Sequence, residues 1–212
     1  MEGVGVMRPP VIVIETNGGT PPAHFEPAVK AGTVEVVEQI NLDERSFEHR
    51  AGVITNMHMD QILFAELQPA LERFFSAGGR MAFMGHIVKT FLPELMPFEP
   101  LSAPKRASFV LTELADHPIF DGTPREAVET RKGVAGFYGR GHVPPPSGAV
   151  PLTGLGPEHL PVDWVWARPG GGELFVHAGN NLWTVADDAS INQGFVDRMI
   201  EWCAAGALQS VE

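Results

Sequence analysis

The chain has 212 residues, 44% of them hydrophobic, which suffices for one well-buried domain and argues against global disorder. Its 26 acidic residues outweigh 15 basic ones, giving a formal net charge of -11. With no Lys/Arg cluster, no nucleic-acid partner is expected. The single cysteine, Cys203, excludes an intrachain disulfide and any cysteine-rich metal site. The opening MEGVGVMRPP lacks a basic segment followed by a long apolar one, so it does not read as a signal peptide, and no apolar run approaches membrane-spanning length. No membrane partner is expected, and the cytoplasm is the default location.

In chain order, VIVIE (Val11–Glu15) is a β-branched run without helical period, bounded by Pro10 and TNGG, and reads as a strand buried on both faces. TVEVVEQI (Thr33–Ile40) is a second strand whose partial alternation places it nearer an edge. AGVIT (Ala51–Thr55) is a third, ending in the polar NMHMD. From Asp60 the period changes: Ile62, Leu63, Leu67, Leu71, Phe74 and Phe75 recur at helical spacing and SAGG supplies the stop. Pro69 predicts a kink or two short helices end to end. RMAFMG is strand four. Strands alternating with connections and a helix argue for a parallel sheet with helices on its faces.

The second half is less regular. A strand is expected near Ala107–Thr112, ADHPIFDGTP is turn-rich, and HVPPPSG reads as a surface loop whose prolines cannot enter a ladder. Val162–Arg168 and Glu173–His177 read as two strands joined by a Gly-rich turn. ASINQGFVDRMIEWCAAG is an amphipathic helix, with Ile191, Phe195, Met199 and Trp202 on one face and Gly206 as its stop. No repeat or linker divides the chain, so residues 1–212 are expected to form one domain.

Three segments carry a resemblance. LQPALERFFSAGGRMAFMGH (Leu67–His86) resembles the helix, Gly-Gly turn, strand and corner of the class I glutamine amidotransferase-like superfamily. The Gly-His ending, DHPIFDGTP (Asp116–Pro124) and LPVDWVWARPGGGELFVHAGNN (Leu160–Asn181) are similar to its trehalose-utilisation-protein branch. In order, the likeness runs from about Val11 to Gly206. It implies a three-layer α/β fold, flavodoxin-like or class I glutamine amidotransferase-like, with a mostly parallel central sheet between helices.

The departures matter for function. An amidotransferase carries a thiolate at the strand-to-helix corner, whereas here the corner reads Met84-Gly85-His86-Ile87. Cys203, near the end of the last helix, reads as a small core hydrophobe. Thiol-based glutaminase activity is therefore not expected, and no catalytic residue is assigned. Asn180 stands where the branch would place the His of its late Gly-His.

In such sheets ligands bind beyond the carboxyl ends of the strands. Reading those ends gives Asn17 after strand one, Asn56, His58 and Asp60 after strand three, His86 after strand four, and Asn180 and Asn181 after the late hairpin. Each has a plainer explanation. Asn17 belongs to an NGG turn, Asp60 could be a helix N-cap, and Asn180–Asn181 could be a turn pair. His86 is either a working group or a brace for the corner. His177 reads as facing outward or as a satisfied core histidine. Trp164, Trp166 and Trp183 could line a ligand wall or fill the core. His58, Asp60 and His86 could hold a metal, but HMD is no established metal motif, and neither a metal nor a cofactor is expected. The favoured reading is binding of a small polar ligand beside His86, with sugar-related compounds among the candidates. The rival is a non-catalytic scaffold or regulatory partner that kept the fold, and a metal-assisted hydrolase is weaker. Whether the chain is an enzyme is open, as is assembly into a homo-oligomer.

Overall fold

A computed structural model describes residues 11–16, 18 and 20–206; Asn17 lies outside the described residues. The eight strands β1 (Val11–Glu15), β2 (Val34–Glu38), β3 (Gly52–Thr55), β4 (Arg80–Met84), β5 (Leu111–Glu113), β6 (Val150–Leu155), β7 (Leu160–Ala167) and β8 (Glu173–His177) form one sheet. Its order is β2-β1-β3-β4-β8-β7-β6-β5. From β2 to β8 every pairing is parallel, and β8, β7, β6 and β5 then pair antiparallel. Among the described residues the α-helices are α1 (Glu26–Lys30), α2 (Gln61–Glu66), α3 (Gln68–Ser76) and α4 (Ala189–Ala204).

Local chemistry accounts for most of these bounds. VIVIE is buried along its whole length because β1 lies inside the sheet, whereas β2 is the edge strand and buries only Val34 fully. Asp60 caps α2, its carboxyl oxygen accepting from the Ile62 and Leu63 amides at 2.9 and 3.3 Å. Leu67 breaks the helical run just before Pro69, which sits in the first turn of α3, where its missing N–H costs nothing.

Helices cover both faces. Phe83 and Phe175 sit on paired strands but out of step, Phe83 opposite Val176 and Phe175 opposite Ala82, so their rings point to opposite sides. Phe83 meets Phe91, which meets Phe64 of α2; Phe175 meets Trp202 of α4. The fold is a three-layer α/β one.

The structure departs from the sequence reading, or adds to it, at four points. The segment after the β4 corner does not enter a helix; its prolines at 93 and 97 interrupt any helical run there. The strand expected from Ala107 begins only at Leu111, because Arg106–Phe109 forms a 3-10 turn. Val150–Leu155 is a strand the sequence hides, with Pro151 and Gly154 in it and register shifts around Thr153. HVPPPSG is less exposed than a surface loop: Val143 is buried and its carbonyl accepts from the Trp164 indole at 2.9 Å.

Candidate functional site

The corner after β4 sits at the carboxyl edge of the parallel half. Gly85 has φ +106°, and a Cβ there would lie 2.8 Å from Met57 Cα, so only glycine lets the chain turn this close to the loop after β3. Gln61 of α2 holds the segment from His86 to Lys89. Its amide donates to the His86 carbonyl at 2.7 Å, and its oxygen accepts from the Val88 and Lys89 amides at 2.8 and 3.0 Å. One buried side chain thus satisfies backbone groups that a helix would otherwise have satisfied.

His86 itself is exposed, with one ring face stacked on Phe98 at 3.6 Å and 10°. Its ring nitrogens make no hydrogen bond among the described residues. Water is excluded from the covered face, and this desolvation, with the nearby His177, lowers its pKa below the ordinary histidine value.

The other sequence candidates divide. Asn56 is buried, donating to the Ile14 carbonyl and Thr16 hydroxyl, both at 3.3 Å, and accepting from the His58 amide at 2.8 Å. Asn181 accepts from the Met57 amide at 2.7 Å. The two asparagines therefore pin the loop carrying His58, whose own ring is exposed. Asn180 turns away to the Phe137 carbonyl at 2.6 Å, and Asp60 is engaged as a cap. Among the described residues no three His, Cys, Asp or Glu side chains gather as a metal site. Trp164, Trp166 and Trp183 are buried core residues rather than a ligand wall.

The sequence missed a buried polar triplet on the α4 side of the sheet. His177 is not outward-facing: it is sealed at the end of β8, opposite Asp163 of β7. Its Nδ1 lies 2.5 Å from Asp163 Oδ1, while Tyr138 donates to Asp163 Oδ2 at 2.6 Å. Burial, with the Asp163 carboxyl alongside, pushes the Tyr138 phenol well up, so it stays a donor. His177 Nε2 has no hydrogen-bond partner among the described residues, and a Cβ on Gly179 would come within 2.7 Å of it. An imidazole held through Nδ1 by a carboxyl group presents Nε2 as its reactive nitrogen. Sealed as it is, the triplet braces the edge and leaves the hydrogen-bonding capacity of His177 Nε2 unused. On β1, Glu15 is also buried with one oxygen unpartnered, and desolvation raises its pKa.

Cys203 is fully buried, with its thiol near the Val53 carbonyl, and burial pushes its pKa up to about 12. It belongs to the contact between α4 and β3, not to the corner.

No protein-family model matches the sequence, and no curated protein matches it. Solved structures do. The mmIFT52 N-terminal domain superposes with a TM-score of 0.58 at 11% identity, covering 94% of this chain and 99% of that one. A cytoplasmic protein from Salmonella typhimurium gives 0.58 at 9%, covering 92% and 98%. A Thermoplasma acidophilum protein assigned as a GMP synthase subunit gives 0.56 at 10%, covering 92% and 94%. All three share the three-layer α/β fold of this chain. At these identities the likeness reaches the fold and stops there, because one fold hosts unrelated chemistries. No helix among the described residues is long and apolar enough to cross a membrane.

Proposed function

We propose that this chain binds a small polar ligand at the carboxyl edge of its sheet, beside His86, without thiol-based glutaminase chemistry. The observation that carries the reading is His86 itself. An imidazole with unengaged nitrogens, flattened against Phe98 at the end of a central parallel strand, stands where such sheets place their ligands. The corner supports binding more than nucleophilic catalysis: it has no Cys or Ser, and no helix comes after it whose N-terminus would steady a developing oxyanion. The trehalose-utilisation branch remains the sequence resemblance behind a sugar-related ligand.

A second reading rests on a different observation. Ile40, Ile62 and Val88 are 83%, 65% and 75% exposed. The Asp60 amide donates to Gln39 at 2.9 Å and the Val88 amide to Gln61 at 2.8 Å, so the segments carrying the three are adjacent beside the corner. Exposed apolar rims favour a protein partner, including a second copy, and hence a scaffold role.

His86→Asn separates the two. Ligand-observed NMR against a panel of sugars, polyols and small carboxylates should find a binder that the variant loses while its melting temperature holds. Retained binding, or a panel without a binder together with self-association abolished by Ile62→Asp, would move the assignment to the scaffold.

A further inference from the structure

Over β5 and β6, on the α4 side of the sheet, DHPIFDGTPR folds around a cleft of about 310 Å³. His117 lies in its wall, 9% exposed, its ring 5.8 Å from Phe175 and 5.5 Å from Trp202. The Ile119 amide donates to its Nδ1 at 3.4 Å, capping the 3-10 turn Pro118–Phe120. That bond fixes the tautomer. A neutral imidazole whose Nδ1 accepts must carry its proton on Nε2. Nε2 makes no hydrogen bond among the described residues, yet it is not sealed in the interior as His177 Nε2 is. The cleft therefore has an unused N–H donor on a side chain that is otherwise engaged.

The charges around it are layered. Two guanidinium groups lie on the inner side, Arg125 in the lining of the cleft itself and Arg198 behind it. Arg125, 3% exposed, stacks 3.8 Å over Phe120 and donates to the Thr153 hydroxyl at 2.8 Å; Arg198 donates to the Ile119 carbonyl at 2.8 Å. In front, at the mouth, stand the exposed carboxylates of Asp116 and Asp121, while Glu113 lies 4.0 Å from the Arg125 guanidinium. A ligand of one sign would meet repulsion at one end or the other. Complementarity calls for both signs, the anionic end inward on the His117 N–H and the cationic end outward.

We infer that this cleft binds a small zwitterion, with a carboxylate or similar anion at the His117 Nε2–H and an ammonium among the carboxylates of the rim. The site is separate from the His86 corner and does not depend on that reading.

The probes are 4-aminobutyrate and its two half-charged counterparts, butyrate and butylamine, titrated into the full chain at neutral pH and followed by NMR. The expected result is saturable binding of 4-aminobutyrate that shifts the His117 ring resonances, with each counterpart about tenfold weaker or worse. His117→Asn keeps an acceptor for the Ile119 amide but loses the Nε2 donor, and should weaken 4-aminobutyrate by about tenfold. Asp121→Asn removes an exposed charge without touching the interior, so it decides the matter should His117→Asn unfold; it should also weaken binding. The inference is overturned if 4-aminobutyrate leaves the His117 resonances unmoved, if butylamine binds as well, or if Asp121→Asn binds like the parent chain.

Discussion

The neutral state of His117 makes acid stability a quantitative test. Burial, helped by the charge of Arg80, lowers its pKa from 6.5 to about 4. The unfolded chain takes up the proton near pH 6.5 and the folded chain only near pH 4, so stability is fully present above 6.5 and is lost as pH falls through 4. At about 1.4 kcal/mol per pKa unit, the loss comes to roughly 3 kcal/mol. His117→Asn retains the Nδ1-side cap and removes the titration. Urea unfolding of both proteins, followed by tryptophan fluorescence from pH 7.5 to 4, reads the difference, and other groups cancel between them. The variant should be less stable at pH 7.5 through lost packing, then close the gap or overtake the parent by pH 4. Parallel stability curves across that range would refute a buried, neutral His117.

Other perturbations give sharper yes-or-no outcomes. Cys203→Ser should leave any activity intact, since the thiol is fully buried with its pKa pushed up to about 12; glutamine hydrolysis lost with this substitution would overturn the no-thiol reading. Gly85→Ala forces a Cβ within 2.8 Å of Met57 at a positive φ and should cost on the order of 2 kcal/mol or more in thermal or denaturant unfolding. Tyr138→Phe strips the donor from Asp163 and should cost on the order of 1–3 kcal/mol by the same assay. Glu15→Gln should stabilise the chain at neutral pH. The raised pKa means that the carboxyl favours folding at low pH and opposes it as pH rises, so the gain should vanish on acidification.

Much of the fold was legible because its signals are local. The unbroken VIVIE run, the change of period at Asp60, the proline that splits α2 from α3 and the glycine after α4 each act within a few residues. The strand β6 was not legible: Pro151 and Gly154 interrupt its pattern, and only partners on both sides hold it in the sheet. The site divides in the same way. Asn56, Asn181 and the His58 loop adjoin at the strand ends, but residue type could not show that the asparagines are consumed by backbone groups. The Asp163–His177 pair was within reach. Stepping outward from the turn closed by Arg168 and Gly172 pairs Ala167 with Glu173 and, four steps on, Asp163 with His177. Tyr138 offers no such count, since its loop is placed only by tertiary packing.

The junction between the two halves of the sheet sets an order on biosynthesis. β4 finds its second neighbour only in β8, where Arg80 pairs with Glu173, 93 residues later. While the ribosome supplies that stretch, the first four strands can assemble among themselves, leaving the β4 edge unpaired. That edge reads Arg-Met-Ala-Phe-Met, apolar after its first residue and without a proline. An unpaired apolar edge is a template for another chain. The nascent protein is therefore most open to misassembly in this interval, and a truncation ending before residue 173 should aggregate rather than yield a stable half-domain.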